Sequence, residues 1–339
     1  MSSKSFVQAI GTTLASVATL ASVSTFAAAE PPKIGYSAGF LTDPFQSVLV
    51  EGTLDQSKST GLAVLPASNA NGDAAKQITD VRNLVAAGAK LLIVNPTDSR
   101  AIVPALDFAK EKSIPVIAVD AAPAGGTVYM IVRADNIKMG EQACEAMGKA
   151  LNGKGKVLSL MGDQATTNGR DRTVGFDDCM KKNFPNVKVI EQPTNWKPEK
   201  AASITQTILT SNPDLNGIYA QSDSVMLQGV LSVLKSAGKL APKGDPKHIA
   251  LVTIDGTQTA LKNIREKYVD AAISQPLDLY IKHAVFFAHQ ALKTPDTADH
   301  GDIKANVVAL GSNKMDLIPA TVVDEKNVND SSLWGNAKK

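Results

Sequence analysis

Short, nearly continuous apolar segments alternate with segments of helical period along almost the whole chain. LLIVN at 91–95, PVIAVD at 115–120 and IALVTID at 249–255 carry no internal alternation of polar and apolar residues. Strands of that kind are buried on both faces, which is the mark of a parallel sheet covered by helices. Between them lie amphipathic stretches. In residues 73–87 the apolar positions Ile78, Val81, Leu84 and Val85 repeat with the 3.6-residue period, and Gly88 follows as a stop. The expected order begins with strand 33–36, helix 45–59, strand 62–66, helix 73–87, strand 91–95, helix 101–112 and strand 115–120. A second series then starts. It runs helix 137–151, strand 156–162, helix 171–183, strand 187–191, helix 200–211, strand Gly217–Ala220, helix 224–237, strand 249–255, helix 259–267, strand Ala271–Ser274 and helix 279–292. Strand-like pieces at Val307–Leu310 and Thr321–Val323 come late enough to return to either half. Two successive sets of βα units in 339 residues imply two doubly wound lobes.

The first 29 residues lie outside this pattern. Lys4 is their only charge, residues 6–26 are apolar or small, and Ala27-Ala28-Ala29 precedes Glu30-Pro31-Pro32. A positive start, an apolar middle and a small-residue end describe a secretory signal peptide, here over 1–29 with cleavage after Ala29. The alternative is an uncleaved membrane anchor, which the many Ser and Thr residues weaken. Export would put Cys144 and Cys179, the chain's two cysteines, in an oxidising compartment. A single disulfide between them is the expectation, with two buried thiols as the alternative.

Composition removes several classes of function. Lys plus Arg is 35 against Asp plus Glu 33, a net charge of +2, so no basic surface points to nucleic acid. Gly153-Lys154-Gly155 precedes a strand instead of following one, so it is a turn and not a nucleotide loop. His248, His283, His289 and His300 show no metal-ligand spacing, and no serine nucleophile elbow is expected. The chain is therefore expected to be neither an enzyme nor a cofactor carrier.

Ligands of open parallel sheets bind beyond the carboxyl ends of the strands. The residues there are 39–46, 68–71, Asn95, Asp120, 163–170, Trp196, 221–223, Asp255 and Gln275. Most are hydrogen-bonding groups, with the rings of Phe40, Phe45 and Trp196 among them.

Across 33–292 these strand ends resemble the ribose-binding-protein family of periplasmic substrate-binding proteins. The resemblance rests on an ordered set: Asp43-Pro44-Phe45-Gln46, the stretch 74–78 followed by 91–96, 115–120, 135–140, Gly169-Arg170-Asp171-Arg172 up to Gly175-Phe176, 220–223 and 254–257. It implies an α/β protein of two doubly wound parallel-sheet lobes, the type I periplasmic binding protein fold, joined by a hinge of three crossings. The crossings are expected near Asp135-Asn136, Gln275-Pro276 and Gly311. The N-terminal lobe would then be 30–135 with 276–311, and the C-terminal lobe 136–275 with 312–339. The implied function is that of a periplasmic solute-binding protein of an ABC importer in a Gram-negative bacterium. A monomer would bind a small polyhydroxylated ligand, a monosaccharide or sugar alcohol, and deliver it to an inner-membrane permease and in some members to a chemoreceptor. A sensory protein for a non-sugar ligand is the alternative.

A sugar hydroxyl both donates and accepts, while its C–H face is apolar, so such a site needs carboxylates, donors and rings. The resemblance assigns Asp120 and Asp255 as acceptors, although an Asp at a strand end is as readily a cap. It assigns Arg170 as the cationic donor, against an ion pair with Asp171 or Asp177, and Gln275 as an amide contact, against a plain hinge residue. Phe45 and Trp196 would be the stacking rings, against plain core residues. Asp43 and Ser222 stand where the family has Asn, and Gln46 where it has a second Phe. Ala121 replaces an Arg, so ribose itself is not the expected ligand.

Overall fold

The computed structural model describes residues 1–2, 30–294 and 303–337. The leader segment therefore lies almost wholly outside the described residues. From Pro31 onward the chain forms two sheets, each covered by helices.

The first sheet is built from β1 (Lys33–Ala38), β2 (Ala63–Val64), β3 (Ser68–Asn69), β4 (Leu91–Val94), β5 (Val116–Val119), β6 (Met130–Ala134), β12 (Val307–Leu310) and β13 (Asn313–Ile318). Its order is β12-β13-β6-β5-β4-β1-β2, with β3 also paired to β1. Every residue of β4, β5 and β6 is buried, as a sheet covered on both faces requires. Helices α1 (Pro44–Ser59), α2 (Ala74–Ala86), α3 (Val103–Glu111) and α9 (Leu277–Leu292) cover it. The second sheet has the order β14-β11-β10-β9-β7-β8. It comprises β7 (Lys154–Met161), β8 (Asn186–Pro193), β9 (Gly217–Ala220), β10 (Ala250–Asp255), β11 (Ala271–Ser274) and β14 (Thr321–Val323). Its helices are α4 (Asn136–Ala150), α5 (Thr167–Asn183), α6 (Pro198–Ser211), α7 (Asp223–Ser236) and α8 (Gln258–Arg265). Strands β3, β6 and β13 have no counterpart in the sequence reading.

The chain passes between the sheets from β6 to α4, from β11 to α9, and from β13 to β14. The third passage corrects the expectation of a crossing near Gly311. Gly311, at φ +59, is instead the turn of the β12–β13 hairpin. Residues 313–318, expected in the C-terminal lobe, pair parallel with β6, and the chain crosses at Pro319-Ala320.

Helices α4 and α5 approach one another closely. A Cβ on Gly140 would lie 2.5 Å from the Arg172 carbonyl oxygen, and one on Gly175 would lie 2.1 Å from that of Ile137. Only glycine permits this spacing. It also brings Cys144 and Cys179 together, with Cα atoms 6.1 Å apart and their sulfurs bonded.

Candidate functional site

A cavity of about 140 Å³ lies where the strand ends of the two sheets face each other. From the first sheet it is lined by Asp43, Phe45 and Gln46 at the start of α1, Asn95 after β4, and Asp120 and Ala121 after β5. From the second it is lined by Asn168 and Arg172 of α5, Trp196 after β8, Ser222 and Ser224 around the start of α7, Asp255 at the end of β10, and Gln275 after β11. Eight of the nine residues expected in the cleft thus line one cavity.

Arg170 is the exception, and the correction is a matter of helix phase. Its Nη1 donates to the Gln164 carbonyl oxygen at 2.6 Å, in the loop just ahead of α5, and it does not line the cavity. The guanidinium that does is Arg172, two residues on and so about 200° around the helix. Arg172 is 2% exposed. Its Nε donates to Asn136 Oδ1 at 2.7 Å, its Nη1 donates to the Gln221 carbonyl oxygen, and Nη1 lies 3.8 Å from Asp255 Oδ1. The close α4–α5 packing makes the Asn136 contact possible. The Arg172 guanidinium also sits 5.8 Å from the Trp196 ring centre, within cation–π range.

Asp255 is the most densely bonded carboxylate. Its Oδ2 accepts from Ser222 Oγ at 2.6 Å, Ser224 Oγ at 2.8 Å and Ser224 N at 3.2 Å. Its Oδ1 accepts from Gln275 Nε2 at 2.7 Å. Gln275 is held in turn by Tyr280, whose hydroxyl accepts from Ala134 N at 2.7 Å and donates to Gln275 Oε1 at 3.0 Å. Because the Tyr280 proton is directed at Oε1, the Gln275 amide nitrogen is turned toward Asp255. The two passages between sheets at 134–136 and 274–277 are thereby linked through one phenol to the cleft.

Asp120 has φ +63, a left-handed conformation that Asp tolerates better than most side chains. Its Oδ2 accepts from Asn95 Nδ2 at 3.2 Å and its Oδ1 from Asn168 Nδ2 at 2.8 Å. Asn168 belongs to α5, which covers the opposite sheet, so this bond spans the cleft. Burial raises the Asp120 pKa, against the lowering effect of Arg172 and the two amides. Asp43 caps α1, accepting from Phe45 N at 3.0 Å. Burial, then the charge of Asp255, pushes its pKa from 3.8 to about 7.

Phe45 is 2% exposed, its ring set edge-on to Tyr280 at 6.0 Å and to Trp334 at 5.9 Å. It forms a wall of the cavity, and its environment is that of a core ring. Trp196 has φ +54 and its six-membered ring lies over Gly162, where a Cβ would come within 1.9 Å. Gln46 spends its carbonyl on Phe40 N at 2.9 Å, shaping the loop after β1. The sequence reading gave no role to Arg172, Asn95, Asn168, Ser224 or Trp334. The glycines of α4 (Gly140, Gly148) and α5 (Gly169, Gly175) carry no signal in the sequence that picks Arg172 over Arg170.

The chain does spell one Gly-x-Ser-x-Gly string, Gly35 to Gly39, against the expectation of none. Ser37 lies inside β1 and is wholly buried, so it is not on the strand-to-helix turn that a nucleophile elbow requires. Among the described residues no cluster of His, Cys, Asp and Glu could hold a metal ion.

A family model described as a periplasmic binding protein domain matches residues 34–295. The chain is 31% identical over 284 residues to the ribose import binding protein of Haemophilus influenzae, covering 83% of this chain and 93% of that protein. It is 31% identical over 227 residues to the D-apiose import binding protein of Paraburkholderia graminis, covering 66% and 70%. Its fold superposes on a Caulobacter myo-inositol binding protein solved with myo-inositol, at TM-score 0.73 and 25% identity, covering 88% of this chain and 95% of that one.

Proposed function

The chain belongs to the periplasmic binding protein family, and on that premise we propose that it is the solute-binding protein of an ABC importer. It takes one monosaccharide or sugar alcohol between its two sheets and delivers it to an inner-membrane permease. The observation that carries this reading is the cavity itself. Asp43, Asp120 and Asp255 accept from hydroxyls, Arg172, Asn95 and Asn168 donate, and the Trp196 ring offers an apolar face. Bonds that span the cleft, such as Asn168 to Asp120, exclude water from it, so each ligand hydroxyl must find a protein partner. A volume of about 140 Å³ suits one small polyol, not an oligosaccharide.

The lobes are 30–135 with 276–294 and 303–318, and 136–275 with 319–337, the second boundary following the pairing of β13. Ligand release is rotation of one lobe from the other about the three passages. The protein acts as a monomer in the periplasm after cleavage behind Ala29, and it catalyses no reaction. N-terminal sequencing of exported material should begin at Glu30. Material that retains Met1 would contradict cleavage.

A thermal-shift screen of the exported protein against pentoses, hexoses and polyols tests the binding reading. A ligand that binds only the folded form raises the melting midpoint. At least one neutral polyol should do so, and D-ribose should do so less than the best of them, because Ala121 offers no guanidinium. A midpoint unmoved by every compound would contradict the proposal.

A further inference from the structure

Trp334 is not a lining residue of the cavity, yet it touches both lobes. Beyond β14 the chain returns over the second lobe and is fixed there. Val328 and Leu333 are buried in its core, at 3% and 6% exposure. Arg265 of α8 donates through Nη2 to the Val328 carbonyl oxygen at 3.0 Å and to Asn336 Oδ1. A Cβ on Gly335 would lie 2.3 Å from the Gly256 carbonyl oxygen, so the tail rests directly on the turn after β10. From this mount the Trp334 indole Nε1 donates to the Asp255 carbonyl oxygen at 2.8 Å. The same ring meets Phe45 edge-on, 5.9 Å between centroids at 69°. Phe45 is carried by α1, and its other neighbour is Tyr280 of α9, both on the first lobe.

Resting on the binding reading above, we propose that Trp334 is the latch of the closed cleft. It is a positioning residue, anchored on one lobe, whose ring seats against Phe45 of the other when the lobes shut. Rotation about the three passages separates a ring fixed to α1 from a ring fixed to α8. The contact therefore belongs to the closed form and adds to its stability without touching ligand. The indole hydrogen bond has a second effect. Asp255 has φ +119, unusual for a residue with a side chain, and the bond to its carbonyl helps hold that peptide so that the carboxylate faces Ser222 and Gln275.

The test uses whichever of D-ribose, xylitol and myo-inositol gives the largest thermal shift with the wild type. Stopped-flow binding of that compound should show Trp334→Ala weakened roughly 5- to 100-fold, the range set by losing an aromatic pair and one hydrogen bond. The loss should appear mainly in the dissociation rate. Small-angle scattering of the saturated variant should remain more extended than that of the saturated wild type. Trp334→Phe keeps a ring against Phe45 and should recover most of the affinity, which covers the case in which the alanine variant folds poorly. In Trp196→Phe protein Trp334 is the sole tryptophan of a chain that has two, and its emission should change on saturation. Wild-type dissociation rate and compaction in a folded Trp334→Ala protein would overturn the latch while leaving the binding reading intact. No shift of the wild type by any compound would overturn the binding reading, and the latch with it.

Discussion

Asn168 Nδ2 donates to Asp120 Oδ1 at 2.8 Å, joining the first turn of α5 in one lobe to the end of β5 in the other. The same amide accepts from Arg133 Nη2 at 3.0 Å, and Arg133 Nη1 pairs with Asp171 at 2.9 Å. The cleft is therefore shut by a polar chain running from the buried Asp120 carboxylate through the buried Asn168 amide and Arg133 guanidinium to the half-buried Asp171.

Breaking this chain at Asn168 leaves Asp120 and Arg133 each short of one partner. An unsatisfied buried group costs about 1–3 kcal/mol, or roughly 5- to 150-fold in the affinity of a ligand that binds the closed form. Asn168→Ala should weaken calorimetric binding within that range. Wild-type affinity would mean that the bond does not contribute to closure.

Most of the cleft is legible in the sequence because it follows from topology. Once apolar strands and helices alternate, Asp120, Asp255, Ser222 and Gln275 are strand-end residues whatever the detail of packing. What is not legible depends on rotation and on distant contacts. Arg170 and Arg172 are two residues apart in one helix, and only the phase set by the Thr166 cap and the glycine contacts with α4 decides which faces the cavity. The sequence places a crossing near Gly311, and only the pairing of β13 with β6 moves the crossing past it. Phe45 reads as a cleft ring from its polar neighbours, but Trp334 lies 289 positions away and nothing local announces that it covers the ring's edge.

The α4–α5 disulfide closes a loop with a sequence separation of 35. In the chain-entropy model such a crosslink contributes about 3–4 kcal/mol. The Cys144→Ser, Cys179→Ser double variant should lose about that much in a denaturant titration while keeping ligand affinity within about twofold, since neither sulfur lines the cavity. Unchanged stability would place the contribution of the bridge near zero.

Asp177 of α5 shares a hydrogen bond with Glu191 of β8. Burial, then the Glu191 charge and that bond, push its pKa from 3.8 to about 7. A carboxyl pKa raised in the folded form means that the unfolded chain gives up its proton first, so stability present below about pH 4 is lost as pH rises to about 7 and changes no further above it. Thermal midpoints of the ligand-free protein should therefore fall between about pH 4 and pH 7 and then level. Asp177→Asn should show a flatter fall and a higher midpoint than the wild type at pH 8. Parallel curves for the two proteins would remove the pair as a cause.

Calorimetric titration of the wild type, Arg170→Ala and Arg172→Ala with the sugar or polyol that most raises the melting midpoint tests the account most directly. The wild type should bind one ligand per chain. Arg170→Ala should match it within about twofold, because that guanidinium bonds the Gln164 carbonyl ahead of α5 and does not line the cavity. Arg172→Ala strips a charged partner from Asp255 and a donor from the cavity, so its affinity should fall by roughly 100-fold or more. Equal binding by the wild type and Arg172→Ala, or loss confined to Arg170→Ala, would contradict the assignment of the ligand to this cleft.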